Sequence, residues 1–391
     1  MSEIAVIGGG ASGLTAAISA AELGADVTVY EKNDRVGKKL LATGNGRCNL
    51  SNINAGIENY HGNDTSFMKP ALNTFWYDET IDFFENLGLL TKADDDGRVY
   101  PYSDRSSSVV DILRLSLDKS GVNVVCGFEV SSIIKRKNVF EIVSYDGEHR
   151  FADRIIISAG GRAAPGLGGG SSGYEILRSF GHHITELRPS IVQLKTDTEP
   201  ITGLKGVKCR AMVKMPGKSA VGELLFTDYG ISGPPVFLLS SYYNNADEKK
   251  LSIDFFYDYE EGSLFRLLMK KAAGTDAPEN LFTGILHKNI GRAILKQSGC
   301  PQLNNSGLKK ICRTAKDFKL TVTGTMSWNN AQVTAGGVRT EEIDPVSFMS
   351  KKCSGLYVTG EILDIDGDCG GYNLQWAWSS GHIAGTHAAL N

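Results

Sequence analysis

Three glycines near the amino terminus have the spacing of a phosphate-binding turn. Gly8, Gly10 and Gly13 fit the pattern GxGxxG and follow a short apolar run at residues 4–7. In such a turn the first glycine permits a tight bend, the second lets the backbone approach a pyrophosphate, and the third lets helix and strand pack closely. Glu31 ends the next apolar run, where its carboxylate can accept hydrogen bonds from ribose hydroxyls. The pattern predicts dinucleotide binding; a loop used only for packing is the alternative.

These glycines need a strand, a helix and a second strand to position them. Residues 4–7 are typical of a strand buried on both faces, residues 14–23 of an alanine-rich helix, and residues 26–31 of the next strand. Such a β–α–β unit has a crossover that is almost always right-handed. It would present the first amides of the helix to the phosphate groups.

Two later glycine turns extend the predicted site. Gly160 follows an apolar strand at residues 154–158, and Gly360 follows another at residues 356–359. Glu361 then lies at the carboxyl end of its strand, where open α/β sheets bind ligands. Residues 190–330 separate the two turns, so the cofactor domain is discontinuous. That interruption favours a flavin over NAD, because an NAD domain usually completes itself in one stretch.

A basic loop and a glycine turn supply further candidates for cofactor contact. Lys38, Lys39 and Arg47 can hold a pyrophosphate or a flavin carbonyl, or attract an anionic substrate; a surface loop with solvated lysines is the alternative. The glycines around Asn45 suit a loop pressed against a flat ring. Tyr372 begins the last helix, whose positive end would stabilise an anionic reduced flavin.

The inserted segment changes character along its length. Residues 190–255 alternate as strands do and predict a separate sheet or barrel, whereas residues 263–318 predict amphipathic helices. Residues 261–320 hold 11 Lys and Arg against 4 Asp and Glu, a net charge of +7 that leaves −10 for the rest of the chain. The segment is either a solvated helical surface or a surface for an anionic substrate or a nicotinamide phosphate.

Four longer motifs carry a family resemblance that covers nearly the whole chain. They are RVGKK at residues 35–39, TGNGRCNLSN at 43–52, FTDYGISGP at 226–234 and GGYNLQWAWSSG at 370–381. On these motifs the chain resembles the BaiN-like, or aminoacetone-oxidase-like, NAD(P)/FAD-dependent oxidoreductases of the glutathione-reductase-type FAD superfamily. The resemblance implies three domains: an FAD-binding domain at 1–189 and 331–391, a β-barrel insert at 190–262 and 319–330, and a small helical domain at 263–318.

The resemblance also implies an activity and particular contacts. The activity is either reduction of an activated carbon–carbon double bond with NAD(P)H as electron donor, which we favour, or oxidation of a small amine by oxygen. The backbone near Val130 would meet the adenine. The superfamily usually has an aspartate where this chain has Glu361. Either Glu361 or Asp364 would therefore hold the ribityl chain.

We therefore predict an α/β fold with a Rossmann-like FAD-binding domain, an inserted β-barrel domain and a small helical domain. The residues predicted to bind FAD are Gly8, Gly10, Ala11, Ser12, Gly13, Glu31, Lys32, Lys38, Lys39, Thr43, Gly44, Asn45, Val130, Ala159, Gly160, Gly360, Glu361, Gly371, Tyr372 and Asn373. Asn45, Arg47 and Tyr372 are the candidates for contact with the reactive face of the flavin.

The composition of the 391-residue chain limits its partners. The 41 basic and 44 acidic residues give a net charge of −3, which argues against a dedicated nucleic-acid or membrane-surface protein. Seven scattered cysteines without metal-ligand spacing predict reduced thiols and no metal site. No basic leader precedes the uncharged residues 5–21, so we expect a cytoplasmic protein with a small-molecule substrate. The alternatives are a flavin-bearing protein that acts on RNA or a protein partner through the basic helices, and a Rossmann module that binds only NAD.

A second GxGxxG match is a decoy. Residues 168–173 have the spacing but do not follow a strand. Without that strand the glycines lack the context of a dinucleotide turn. We predict a loop near the flavin entrance there, rather than an NAD(P) site.

Overall fold

The chain folds into two compact units. The computed structural model describes residues 2–243, 249–275, 277–299 and 302–391. The cofactor unit comprises Met1–Arg188 and Gln332–Asn391, and the barrel unit comprises Pro189–Ala331. The three-domain boundaries given above remain a prediction.

The helices and strands of the described residues are as follows. The strands are β1 Glu3–Ile7, β2 Asp26–Glu31, β3 Ser51–Asn52, β4 Tyr60–His61, β5 Thr91–Ala93, β6 Arg98–Pro101, β7 Asn123–Cys126, β8 Val130–Arg136, β9 Val139–Ser144, β10 His149–Ala152, β11 Arg154–Ile157, β12 Arg188–Ser190, β13 Leu194–Thr196, β14 Lys208–Met215, β15 Lys218–Phe226, β16 Gly230–Ser232, β17 Lys250–Asp254, β18 Phe318–Thr325, β19 Val333–Ala335, β20 Leu356–Val358 and β21 Asp366–Gly367. The α-helices are α1 Ala11–Glu22, α2 Lys38–Ala42, α3 Lys69–Thr74, α4 Tyr77–Leu87, α5 Ser106–Lys119, α6 Ser172–Ser179, α7 Pro234–Tyr243, α8 Glu261–Ala272, α9 Lys288–Ser298, α10 Asn305–Lys316 and α11 Tyr372–Leu390.

A parallel sheet of order β20-β11-β1-β2-β7 forms the centre of the cofactor unit. Ile155, Ile156 and Ile157 on β11 are all fully buried, as expected for a strand covered on both faces. Strands β1, β11 and β20 run parallel and in register, so their carboxyl ends lie at one edge of the sheet. The turns at Gly8, Gly160 and Gly360 all follow these ends.

An antiparallel meander interrupts the parallel sheet between β7 and β11. Strands β8, β9 and β10 pair in the order β10-β9-β8. The apolar pattern of residues 130–135 and 139–144 predicts β8 and β9, whereas β10 is not predicted from the sequence. Three of the four side chains of β10 are exposed, so the strand lacks the apolar alternation by which strands are recognised.

Helix α11 packs closely against α1. A Cβ atom on Gly381 would lie 2.3 Å from the Ser12 carbonyl oxygen, and one on Gly385 would lie 2.2 Å from the Ala16 carbonyl oxygen. From their spacing in the sequence we predict that these two glycines pack the helix on the sheet, and that prediction is wrong. Their four-residue spacing places both on the face that meets another helix.

The barrel unit contains a closed barrel of order β13-β16-β15-β14-β17-β18. Leu264 of α8, Ile294 of α9 and Ile311 of α10 are buried in the same hydrophobic core as the barrel residues. Helix α7 lies within a segment that we predicted to be all β. Pro234 and Pro235 suggested a turn, but proline is also well suited to the first turn of a helix.

Candidate active site

The three glycines of the first turn have distinct environments. Gly8 has a φ of +109°, and a Cβ atom there would lie 2.5 Å from the Ser158 carbonyl oxygen. A Cβ atom on Gly13 would lie 2.0 Å from the carbonyl oxygen of Gly8. Gly10 differs, because a Cβ atom there would meet no heavy atom within 4 Å. Gly8 and Gly13 therefore allow the turn to pack against the end of β11 and α1 to pack against the turn. Gly10 instead faces open space, which a residue in contact with a pyrophosphate requires.

The first turn of α1 offers donors to an anion. Gly10 is the N-cap, and its carbonyl accepts the first helical hydrogen bond, from the Leu14 amide at 2.9 Å. The amides of Ala11, Ser12 and Gly13 precede that bond and have no partner within the helix. No acidic side chain occupies this first turn. The donor set fits a pyrophosphate.

Glu31 is held by its own chain at the end of β2. Its Oε2 accepts a hydrogen bond from the Gly9 amide at 2.7 Å. Its Oε1 accepts from the backbone amide of Asn33 at 2.8 Å and from Asn33 Nδ2 at 2.6 Å. Only 7% of the residue is exposed. A carboxylate held this way keeps spare lone pairs for a ribose.

One cleft brings together nine of the predicted cofactor residues. It is lined by Gly8, Gly10, Glu31, Lys32, Lys38, Lys39, Val130, Ala159 and Gly160. Phe128, which the sequence analysis missed, also lines it and lies against Tyr30 with 4.7 Å between ring centroids. These residues come from three strand ends and the start of the meander, so sequence spacing alone does not reveal their proximity.

The second GxGxxG match contributes to this same cleft. Gly168 and Gly169 line it, and a Cβ atom on Gly168 would lie 2.6 Å from Asn33 Nδ2. A Cβ atom on Gly170 would lie 3.1 Å from Lys32 Nζ. The loop thus lies at the Glu31 end of the cleft, where we predict the ribose, and not beside the flavin-face candidates.

An ion pair connects the basic loop with the third glycine turn. Lys39 Nζ lies 2.6 Å from Glu361 Oε2, and Glu361 Oε1 accepts a hydrogen bond from the Thr334 amide at 2.9 Å. Gly360 lies close to α1, because a Cβ atom there would be 2.5 Å from Ser12 Oγ. Both Glu361 oxygens therefore already have partners, and Lys39 is positioned beside the cleft.

The loop at residues 43–52 has an unusual backbone. Gly44 and Asn45 both adopt left-handed conformations, with φ of 56° and 55°. Thr43 Oγ1 donates to the Leu40 carbonyl oxygen at 2.6 Å, so this hydroxyl is engaged with the preceding helix. The guanidinium of Arg47 lies 4.2 Å from the centroid of the Tyr100 ring, and its Nη2 donates to the Tyr100 hydroxyl oxygen at 3.2 Å.

The start of α11 is pressed against the same loop. A Cβ atom on Gly371 would lie 2.3 Å from the Ser51 carbonyl oxygen. Asn52 Nδ2 donates to the Gly370 carbonyl oxygen at 3.0 Å. The buried Oδ1 of Asn49 has no hydrogen-bond partner in the described part of the chain. An orphaned acceptor beside a glycine turn fits a bound group that carries an N–H donor, as FAD does.

Tyr372 and Asn373 differ in their surroundings. Asn373 is engaged with its own chain, since its Oδ1 accepts from the Gly367 amide at 2.8 Å and its Nδ2 donates to the Gly367 carbonyl at 2.7 Å. Tyr372 is half-buried, and its carbonyl oxygen accepts from the Tyr60 hydroxyl at 2.9 Å. Burial and the nearby Asp368 raise the pKa of Tyr372. The phenol is therefore protonated at neutral pH.

Two buried groups near this loop were missed by the sequence analysis. Burial raises the pKa of Tyr100, although Arg47 and Arg98 oppose the shift. Burial also raises the pKa of the Cys369 thiol. Tyr100 is positioned because β6 pairs with β3, which ends the loop. Nothing in the sequence around Tyr100 predicts that pairing.

No cluster of His, Cys, Asp and Glu suited to a metal occurs among the described residues. Likewise, none of the helices in the described ranges is both long and apolar enough to cross a membrane. The six described cysteines are free thiols, and Cys300 lies outside the described residues.

The glycine turn, the parallel sheet and the loop at its carboxyl edge define a dinucleotide-binding flavoenzyme fold. Residues 2–387 match the family model described as the HI0933-like protein Rossmann domain, and the chain belongs to that family. The predicted α/β fold class and the resemblance to the BaiN-like proteins are confirmed.

Individual relatives cover the whole chain. It is 39% identical to a 3-dehydro-bile acid delta(4,6)-reductase of Clostridium scindens, over 100% of this chain and 99% of that protein. It is 29% identical to a ribosomal RNA dihydrouridine synthase of Haemophilus influenzae, over 97% of each. A solved 3-ketosteroid-delta4-(5alpha)-dehydrogenase of Rhodococcus jostii RHA1 shares the fold, with a TM-score of 0.51, 13% identity, and coverage of 100% of this chain and 97% of that one.

The chain is an FAD-dependent oxidoreductase, as the sequence predicted. Our expectation that nucleic acid is not a partner gains no support, because one relative is named for ribosomal RNA. The contacts predicted for individual residues with FAD remain predictions.

Proposed function

We propose that this chain reduces a carbon–carbon double bond conjugated to a carbonyl group, with NAD(P)H as the source of electrons. Two relatives that are named for different substrates support this chemistry. A delta(4,6)-reductase of a 3-oxo bile acid and a uridine-to-dihydrouridine enzyme both saturate a double bond conjugated with a carbonyl. When a double bond lies next to a carbonyl, a hydride adds to the carbon β to that carbonyl and a proton adds to the α carbon.

FAD supplies the hydride when it is bound and reduced. The chain's contribution begins with binding, through the first-turn amides of α1, Glu31 and Lys39. The start of α11 adds a positive helix end near loop 43–52, which favours negative charge on a ring bound there. The protein must then provide the proton for the α carbon.

The observation that carries the proposal is the contact between Arg47 and Tyr100. Arg47 donates to the Tyr100 hydroxyl oxygen at 3.2 Å, so the phenol does not use its own hydrogen in this contact. The phenolic proton is therefore available to a substrate carbon, and the guanidinium would stabilise the phenolate left behind.

The test separates flavin reduction from substrate reduction. Anaerobic stopped-flow mixing with NADH or NADPH should bleach the flavin of the holoenzyme. A 3-oxo steroid with a conjugated double bond should then restore the flavin colour. Bleaching by a small amine, with no response to either nicotinamide, would overturn the proposal in favour of an amine oxidase.

Tyr100→Phe tests the proton donor. We expect reoxidation by the steroid to slow by about 10²–10⁴-fold, with unchanged bleaching by the nicotinamide. The matched control is Tyr102→Phe, since Tyr102 is 68% exposed and two residues along the chain. Equal rates of flavin reoxidation in the Tyr100 and Tyr102 variants would show that Tyr100 is not the proton donor.

Uridine in RNA is the second candidate for the double bond. The net charge of +7 over residues 261–320 favours an anionic substrate, and a relative is named a ribosomal RNA dihydrouridine synthase. The chemistry would be unchanged, because the uracil double bond is conjugated with a ring carbonyl. Anaerobic reoxidation of the flavin by a uridine-containing RNA, but not by the steroid, would select this candidate.

A further inference from the structure

A broad groove lies within the barrel unit, and neither candidate for the reaction makes use of it. Its volume is about 750 Å³. Strands β14, β17 and β18 supply one side, and the ends of α9 and α10 supply the other. The groove belongs to one compact unit and shares none of its lining with the cofactor cleft.

Cations outnumber acids in the groove. Four basic residues line it, Lys214, Lys250, Arg313 and Lys319, against the two acids Asp197 and Asp317. Both acids are partly neutralised by their own surroundings. Asp197 Oδ1 accepts from the Thr321 amide at 2.8 Å, and Asp317 lies 3.4 Å from Lys319 Nζ. Lys214 is closely paired, since its Nζ lies 2.9 Å from Asp254 Oδ2. The pairs of Arg313 with Glu261 at 3.6 Å and of Lys319 with Asp317 at 3.4 Å are long and exposed, and such surface pairs contribute little. Lys250, Arg313 and Lys319 are therefore the groove cations that an anionic ligand can engage.

Helix α10 extends this positive charge beyond the groove. Lys309, Lys310 and Arg313 are all exposed, whereas Leu308 and Ile311 on the opposite face are buried in the core. Neither Lys309 nor Lys310 forms an ion pair with a described residue. Lys309 and Arg313 are four residues apart, about 6 Å along the helix axis. Arg313 belongs both to this row and to the groove.

The groove also has an apolar part. Pro200, Met215 and Pro216 line it beside the cations. Apolar side chains beside positive charge can contact the bases of a ligand whose backbone is charged. A row of cations that continues along a helix favours a polymer, because a single phosphate group would engage only one or two of them.

We propose that the groove and the exposed row on α10 bind the phosphodiester backbone of RNA. This proposal rests on the RNA form of the proposed function, and it assigns the contact surface rather than the reacting base. The surface is sequence-independent, because lysine and arginine contacts to phosphates carry no base information. Binding must therefore weaken steeply as the salt concentration rises.

The test uses the flavin-loaded full chain and a fluorescein-labelled, uridine-containing single-stranded RNA. Fluorescence anisotropy gives the affinity over a series of KCl concentrations from about 50 to about 200 mM. The variant is the triple substitution Lys250→Gln, Arg313→Gln and Lys319→Gln. Each phosphate contact contributes about 0.7 to the slope of log K against log salt, so we expect the slope to become shallower by about 2.

A matched control removes the same charges elsewhere in the barrel unit. Lys270→Gln, Lys288→Gln and Arg292→Gln are exposed positions outside the groove lining. We expect the control variant to keep the wild-type slope. Both variants must keep the wild-type melting temperature and flavin content, which shows that loss of binding is not loss of folding.

Three results would overturn the proposal. They are no RNA binding by the wild type at the lowest salt, an equal loss in both variants, and a loss of NADPH affinity in the groove variant with RNA affinity unchanged. The last result would mean that the groove takes a nicotinamide phosphate. Anaerobic reoxidation of the wild-type flavin by the same RNA is measured separately. Reoxidation without a difference between the two variants means that only the surface is misassigned, whereas no reoxidation means that the RNA form of the proposed reaction fails.

Discussion

Gly10→Val should separate cofactor binding from folding. Gly10 has an extended backbone, with φ −88° and ψ −168°, which valine adopts readily. A Cβ atom there meets nothing within 4 Å. We therefore expect the free energy of unfolding to fall only by the cost of a poorer N-cap, about 0.5–2 kcal/mol. The side chain would instead occupy the space that a pyrophosphate needs in order to reach the first amides of α1.

The size of the binding defect follows from the hydrogen bonds that would be lost. A hydrogen bond to a charged group contributes about 1.5–3 kcal/mol. Losing two such bonds, from the Ala11 and Ser12 amides, would cost about 3–6 kcal/mol and weaken FAD binding about 10²–10⁴-fold. Titration of the flavin-free protein with FAD, followed by flavin fluorescence, measures this directly.

Two other glycines serve as controls for Gly10→Val. Gly274→Val lies in the barrel unit, where a Cβ atom would make only ordinary van der Waals contact with the Lys271 carbonyl oxygen at 3.7 Å, and it should leave FAD affinity unchanged. Gly13→Ala should instead destabilise the fold by about 1–3 kcal/mol or more, because its Cβ would lie 2.0 Å from the Gly8 carbonyl oxygen. Wild-type FAD affinity in Gly10→Val would mean that the pyrophosphate binds elsewhere, and the reasoning from the first turn would fail.

Three further predictions concern packing, acid stability and cofactor affinity. Gly381→Ala should lower the melting temperature by about 2–10 °C in calorimetry, because its Cβ would lie 2.3 Å from a backbone oxygen of α1. Burial disfavours the Glu342 carboxylate, but hydrogen bonds from Lys352, His183 and His182 outweigh this and lower its pKa to about 2. Its stabilising effect is present above the unfolded pKa of 4.5 and is lost as the pH falls towards 2. Urea unfolding of Glu342→Gln should therefore be less pH-dependent than that of the wild type across this window. Lys39→Met should weaken FAD binding about tenfold in the same fluorescence titration. The control, Lys288→Met, should leave FAD affinity unchanged. Equal FAD affinities of the two variants would show that the Lys39–Glu361 pair is purely structural.

The local patterns of the sequence were sufficient for the cofactor unit's framework. The turn at Gly8, the strands that follow it and the last helix all have strong apolar periodicity or glycine spacing, and the structure has them within a few residues of the predicted bounds. Such signals are local, so one sequence is enough to reveal them.

The remainder depends on contacts between distant residues. Tyr100 approaches Arg47 only because β6 pairs with β3. The apolar face of a helix also does not predict which element it packs against, and Gly381 packs against α1 rather than the sheet. Helix α7 was missed because Pro234 and Pro235 suit both a turn and a helix start. The groove in the barrel unit is formed by strands and helix ends that are far apart along the chain.

The close packing of α1 against α11 has a consequence for how the chain is made. Helix α1 leaves the ribosome long before α11, because the barrel unit and most of the cofactor unit lie between them in the chain. Residues 12–20 of α1 are all buried in the folded protein, so part of their surface stays uncovered until α11 has been made. The barrel unit has its own core and can fold in the interval. The cofactor unit therefore cannot complete its core during synthesis until α11 has been made.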